Sequence, residues 1–352
     1  MARRSTRTIS IGGVQVGGGA PVVVQSMTNT PTQDVGATVR QIDRLVGAGC
    51  EFVRLAVPDM EAANALQRIK SQVGVPLIAD IHFDHRLALA AIDKGIDGLR
   101  LNPGNIGGKK EIKEIIAAAR PRAIPIRIGV NAGSLDRKIL KRYGHPTPEA
   151  MVESALNHVK LLEDLDFHHI KISLKSSDVL QTVSAYRLLS EKVDYPLHIG
   201  VTEAGTLVSG TVKNSLGIGL LLSEGIGDTI RVSLTHDPVD EVKVAYEILK
   251  ALGLRQRGVE IISCPTCGRC EIDLVGLAEE VENALSHITT PLTVAIMGCV
   301  VNGPGEAREA DVGIAGGRGQ GTLFKKGKVV KKVPEPELAK ELVQAVKRMA
   351  DE

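Results

Sequence analysis

The sequence predicts an α/β protein, a (β/α)8 TIM-type barrel followed by a small α+β domain, and three observations carry that prediction. From residue 21 onward eight short runs rich in Val and Ile recur, each followed by a stretch whose apolar residues return at threes and fours. The runs are apolar almost throughout, which is the pattern of parallel strands buried on both faces. The glycine fingerprint that a doubly wound open sheet carries after its first strand is missing.

In chain order the strands are PVVVQSM, CEFVRLAV, VPLIADIHF, GLRLNPG, IPIRIGVN, HHIKISLK, YPLHIGV and DTIRVSLT. Helical patterns lie between and after them, among them DVGATVRQIDRLVGAG, EIKEIIAAARPR, PEAMVESALNHVKLLEDL and DPVDEVKVAYEILKALG. Eight such units in about 230 residues suit a closed barrel. Near Gly253 the alternation ends. The strand-like VEIIS runs into SCPTCGRC and is followed by the helix DLVGLAEEVENALSHI, the strand LTVAIMG, the glycine-rich GIAGGRGQG, the basic LFKKGKVVKKV and a last helix PELAKELVQAVKRMA. The expected division is a barrel over residues 1–256 and an α+β domain over 257–352, with no low-complexity linker between them.

Of the 352 residues 43% are hydrophobic and only 2% aromatic, with no Trp, so the cores are aliphatic and little is present to stack nucleic-acid bases upon. Forty-three basic residues against 41 acidic ones leave a charge of +2, too balanced for a polyanion-coating protein. No segment approaches the roughly 20 apolar residues of a membrane span. Five cysteines, with Cys50 far from the rest, do not form the framework of a secreted disulfide protein. The expectation is a cytoplasmic protein without nucleic-acid or membrane partners.

A barrel holds its active site at the C-terminal ends of its strands, and here those ends are charged. Arg54 stands on the second strand, Asp80 and His82 on the third, Arg100 and Asn102 on the fourth, Arg127 and Asn131 on the fifth. Lys171, Ser173 and Lys175 follow on the sixth, Thr202 and Glu203 on the seventh, Arg231 and Ser233 on the eighth. One such arginine reads as a salt-bridge partner. Six cations converging on one mouth repel one another, and a bound phosphate or diphosphate relieves that repulsion through charge-assisted hydrogen bonds. Asp80 and Glu203 are candidates for proton transfer or hydroxyl binding, or else they balance the arginines.

Cys264 and Cys267 form Cys-Pro-Thr-Cys, and Cys299 follows 32 residues later in MGCVVNGPGE. A thiol redox pair and a structural zinc with Cys270 as its fourth ligand are both open readings. An iron–sulfur site suits the setting better: two close thiolates from a loop, one at a strand end and a glycine-rich wrapper. Glu306, held behind Gly303, Pro304 and Gly305, is the candidate for a fourth, carboxylate ligand, which is the more weakly held.

The segments VQSMTNT, ADIHFD, LRLNPGNIG, IRIGVN, GVTEAG, GIGDTIRVSLT, SCPTCGR and GCVVNGPGEA, in this order across essentially the whole chain, resemble the bacterial 4-hydroxy-3-methylbut-2-enyl diphosphate synthases of the non-mevalonate isoprenoid pathway. The resemblance implies an enzyme with one [4Fe-4S] cluster per subunit. It implies reductive opening of 2-C-methyl-D-erythritol 2,4-cyclodiphosphate with two electrons from flavodoxin or ferredoxin, in a homodimer whose active site is shared between subunits. Carried onto this chain, the cluster ligands fall on Cys264, Cys267, Cys299 and Glu306. The diphosphate set falls on Arg54, Arg100, Asn102, Arg127, Asn131, Lys175, Arg231 and Ser233, with Asp80, His82, Thr202 and Glu203 nearer the reacting carbons. Removal of oxygen as water needs a proton source, for which Glu203 is the candidate. Cys270 is not a ligand in the resemblance. The competing class is a non-catalytic barrel that binds a phosphorylated metabolite, with a structural zinc in its small domain.

Overall fold

A computed structural model describes residues 2–299, Gly305 and 307–351. The chain divides into two compact units, one through Arg255 and one from Gln256. The first opens with a short antiparallel hairpin, β1 (Ile9–Ile11) and β2 (Val14–Val16), which the apolar pattern does not announce. Its Ile9, Ile11 and Val16 pack on Val23, Phe52 and Ile78, residues at the N-terminal ends of three barrel strands, and so cover the bottom of the barrel.

The barrel strands are β3 (Val23–Met27), β4 (Phe52–Val57), β5 (Leu77–Ile81), β6 (Gly98–Leu101), β7 (Ile126–Asn131), β8 (Ile170–Lys175), β9 (His198–Ile199) and β10 (Thr229–Ile230). They run parallel in the order β8-β7-β6-β5-β4-β3-β10-β9, and a parallel bridge from Ile172 to Leu197 brings the two ends of the sheet together. This is the (β/α)8 barrel expected of eight apolar runs. β9 and β10 are shorter than their apolar runs, although the Arg231 N–H still donates to the Ile199 carbonyl at 3.1 Å; at Gly200 a Cβ would lie 2.2 Å from the Arg231 carbonyl oxygen, so glycine is what the close approach requires.

The helices around the barrel present one apolar face each to a single aliphatic core. Aspartates start several of them: Asp34, Asp59, Asp178 and Asp237 each accept a backbone N–H of the first turn, satisfying donors that have no partner within the helix. Among the described residues no helix is long and apolar enough to cross a membrane.

The second unit is a five-stranded sheet, β11 (Val259–Ser263), β12 (Leu292–Met297), β13 (Val312–Gly317), β14 (Gln320–Lys325) and β15 (Lys328–Pro334), in that order. The first three strands are parallel and the last two complete an antiparallel meander. One face, with Val294, Ile296, Val312, Ile314 and Leu323, packs in one cluster with residues of the helices Leu274–Leu285 and Leu338–Asp351. The other face is lined by Ala295, Met297, Ala315 and Phe324.

Candidate active site

Strand register brings the barrel's polar residues into one row. Asp80 pairs with Arg100, Arg100 with Arg127, and Arg127 with Lys171, each on the next strand. These residues are buried, and so are Arg54 and Lys175. A cavity of about 140 Å³ lies among Arg54, Asp80, His82, Arg100, Arg127, Asn131, Ser173, Lys175, Thr202, Arg231 and Ser233.

Its electrostatics are lopsided. Among the described residues Asp80 is the single carboxylate of the lining, 3.5 Å from Arg54, 3.1 Å from Arg100 and 3.4 Å from His82. Burial alone would raise its pKa, but the Arg54 charge, the His82 hydrogen bond and the charges of Arg100 and Arg127 outweigh it and hold the carboxyl well below the usual range. Burial pushes Arg54 down to about 10, with Asp80 opposing and Arg231 and Arg100 reinforcing the shift. Burial, then the neighbouring cations, likewise drives Arg127 and Lys175 well below their ordinary values. Among the described residues the Nε atoms of Arg100, Arg127 and Arg231 are buried without a hydrogen-bond partner. Donors buried unpaired in one cage are destabilising until an anion meets them.

Several neighbours hold the cage in shape. Both Nε and Nη2 of Arg54 lie on the Met27 sulfur, at 3.1 and 2.9 Å. Arg100 lies across β7 at Gly129, where a Cβ would come 2.5 Å from its Nε. Glu241 reaches in from the helix Pro238–Ala251: it is buried, accepts from Ser26 Oγ at 2.9 Å and from the Leu234 N–H at 3.0 Å, and lies 3.4 Å from Arg231. Sequence reasoning missed Glu241, since a carboxylate in the first turn of a helix reads as a partner for the helix dipole.

Three sequence candidates, Asn102, Glu203 and Lys171, lie outside the cavity lining. Asn102 is buried, and its side chain accepts the Gly104 N–H at 3.2 Å to close an Asn-Pro-Gly turn. Glu203, next to the lining residue Thr202, is exposed and left-handed, with φ of 52°. Lys171 lies below the cavity, fully buried, with its Nζ 5.4 Å from the Phe52 ring centre.

In the second unit Cys264 immediately follows β11 and Cys299 comes two residues after β12, its parallel neighbour. The Gly298 N–H donates to the Cys264 sulfur at 3.3 Å, and the Cys264 N–H to the Ile296 carbonyl. Cys267 is exposed on the intervening loop. Cys270 is locally engaged: its thiol donates to the Ile272 carbonyl at 3.3 Å and packs against Gly298, where a Cβ would lie 2.6 Å from the sulfur. Among the described residues no three His, Cys, Asp or Glu side chains are drawn into a closed metal site. Glu306 lies outside the described residues. The donor set suits an iron–sulfur cluster: soft thiols at the ends of adjacent parallel strands, one with a backbone N–H already aimed at its sulfur.

Comparison with known proteins gives these geometries a family. Residues 6–246 match the model of the GcpE TIM-barrel domain and residues 260–348 that of the GcpE protein C-terminal domain. A protein of Geobacter sulfurreducens named 4-hydroxy-3-methylbut-2-en-1-yl diphosphate synthase (flavodoxin) is 64% identical over 99% of both chains. One of the same name from Thermodesulfovibrio yellowstonii is 61% identical over 98% of this chain and 99% of its own. Among solved structures, dihydropteroate synthase of Stenotrophomonas maltophilia covers 70% of this chain and 98% of its own at 13% identity with a TM-score of 0.50, a likeness of fold alone. With both of its units matched and full-length relatives at this identity, the chain belongs to the GcpE family, the 4-hydroxy-3-methylbut-2-en-1-yl diphosphate synthases.

Proposed function

We propose that this chain catalyses the reductive ring opening and dehydration of 2-C-methyl-D-erythritol 2,4-cyclodiphosphate to 4-hydroxy-3-methylbut-2-enyl diphosphate, the synthase activity its relatives are named for. The observation that carries the reading is the cage itself. Among the described residues Arg54, Arg100, Arg127, Lys175 and Arg231 surround a cavity with one carboxylate, and three of the guanidinium groups have buried Nε donors without a partner. A cyclic diphosphate offers the phosphoryl oxygens they lack.

In this reading the cations clamp the diphosphate, Asn131, Thr202 and Ser233 add neutral hydrogen bonds, and Asn102 holds the turn above β6. Asp80, kept ionised, can accept but not donate, so it orients Arg54, Arg100 and His82 and receives a substrate hydroxyl. Glu203 supplies the proton with which the departing oxygen leaves as water. Cys264, Cys267, Cys299 and Glu306 are the residues that would hold one [4Fe-4S] cluster per subunit. When bound, such a cluster supplies single-electron transfers from flavodoxin or ferredoxin, two per turnover.

The proposal includes a homodimer in the cytoplasm with the active site shared between subunits. In its support, the helix Leu207–Ser223 leaves Val208, Val212 and Leu216 exposed at 77, 54 and 53%, an apolar stripe of fourfold spacing suited to a second copy. The test is anaerobic reconstitution followed by assay with the cyclodiphosphate and a chemical reductant. Brown protein with about four irons per chain that forms the linear diphosphate is the expected result. Colourless protein with about one zinc per chain that binds the cyclodiphosphate without converting it would establish the rival binding barrel instead.

A further inference from the structure

The balanced charge of the chain hides a local segregation. Between Asp311 and Glu335 no carboxylate occurs, while Arg318, Lys325, Lys326, Lys328, Lys331 and Lys332 all do. β15 is the edge of the sheet, and its first five residues, Lys328 to Lys332, are exposed. Val329 and Val330 stand in the middle of that run at 72 and 56% exposure. Lys331 is paired with Glu341 at 2.7 Å and Arg318 with Glu271 at 3.4 Å, but among the described residues Lys326, Lys328 and Lys332 have no ion-pair partner. An apolar centre inside a cationic rim is the anatomy of a surface that meets an acidic partner briefly.

The register ties one end of this edge, at Lys332, to the cysteines, whereas Lys328 pairs through Lys325 with Val312 at the far end of the strands. Met297, two residues before Cys299, pairs with Ala315, Ala315 with Thr322, and Thr322 with Lys332, so one ladder row runs from the strand before Cys299 to the basic edge. Three strand spacings of roughly 4.8 Å each separate them, a short path for an electron.

We propose that the lysine-rich β14–β15 hairpin is the docking surface for an acidic flavoprotein that delivers electrons to the cysteine end of the same sheet. The inference rests on the proposed function and names the surface its electron donor uses. Each reduced flavoprotein gives up one electron, passing from hydroquinone to semiquinone, and two such encounters supply one turnover. Lysines on an edge strand also block edge-to-edge pairing, and that role predicts a change in solution state rather than in electron delivery.

The experiment compares reconstituted wild type with the triple variant Lys326→Glu, Lys328→Glu, Lys332→Glu, after iron content and sedimentation have been measured for both. Two readouts follow: titration with oxidised flavodoxin across a salt series, and turnover of the cyclodiphosphate with either reduced flavodoxin or chemically reduced viologen. Steering charges of this kind change association by roughly tenfold to a thousandfold at low salt, so flavodoxin affinity and kcat/KM should fall at least tenfold and the salt slope flatten. Iron content, sedimentation and viologen-driven turnover should stay as in wild type. Unchanged flavodoxin binding and kcat/KM, or aggregation as the sole change, would overturn the proposal. A wild type that binds flavodoxin at this surface yet converts no cyclodiphosphate with either reductant would sink the functional reading while leaving the surface standing.

Discussion

Both units place their chemistry at the C-terminal ends of parallel strands, yet they do so by opposite means. In the barrel Arg54, Asp80, Arg100 and Arg127 belong to the strands themselves, are buried, and take their positions from register. In the second unit Cys264 comes just after its strand, Cys267 is exposed on a loop, and Cys299 lies beyond the end of β12. The barrel therefore builds its cage before any anion arrives, with charged groups held against burial and mutual repulsion, which is how a preorganised site works. In the proposed reading the cysteine end would rely on the cluster to complete it, because metal binding and local folding are coupled when ligands sit on loops.

Five experiments would break or sharpen that contrast, from the largest effect down. Replacing Cys264, Cys267 or Cys299 by Ser should abolish iron retention, whereas Cys270→Ser, whose thiol faces the Ile272 carbonyl, should keep it; iron analysis and the visible spectrum decide. Loss of iron in the Cys270 variant would mean the loop shares its ligands more widely than proposed. Glu203→Gln keeps the shape and removes the acidic proton, so turnover should fall roughly a hundredfold to ten-thousandfold with cluster and substrate affinity intact. Wild-type turnover would place the proton source elsewhere.

Arg127→Met tests the preorganised side directly. It should weaken cyclodiphosphate binding by on the order of 1.5–3 kcal/mol, while the ligand-free protein melts at the same temperature or higher, because a buried cation beside Arg54 and Arg100 has been removed. Calorimetry reads both. A large fall in melting temperature would show Arg127 to be a structural ion-pair member. Gly129→Ala is subtler: its methyl must displace the Arg100 guanidinium, so affinity should drop by about 1 kcal/mol with the fold retained.

The smallest effect is a pH slope. Lys175 faces Arg127, Arg231, Arg54 and, with opposite sign, Glu241, and burial and these cations hold its folded pKa well below the unfolded value. The unfolded chain then binds more protons between those two values, so stability rises with pH across that window and the penalty is complete below the folded pKa. Melting temperature of the ligand-free protein should climb from the folded pKa toward the ordinary lysine range, and inorganic diphosphate should flatten the climb. A slope that persists unchanged with diphosphate bound would detach Lys175 from the anion site.

Much of the barrel site is legible in the sequence because a charge that closes an apolar strand has little to do there except meet a ligand or a counter-charge, and six cations outnumber the available carboxylates. Arg54, Arg100, Arg127, Lys175 and Arg231 stand out on that ground and do line one cavity. What cannot be read is whatever depends on close approach. Gly129 looks like any strand glycine until Arg100 is seen lying across it, and Glu241 looks like an ordinary helix-start carboxylate until Arg231 is seen beside it. Asn102, expected at the ligand, also closes the Asn-Pro-Gly turn through its side-chain oxygen, a local role its residue type alone does not announce. The short extents of β9 and β10 are invisible in the sequence because hydrophobic pattern reports burial, not ladder length.

The N-terminal hairpin has a consequence for traffic. With Ile9, Ile11 and Val16 sealed against Val23, Phe52 and Ile78, the barrel has a closed floor and one open rim. Whatever enters must leave by the way it came, so a spent molecule still lodged there blocks the next arrival.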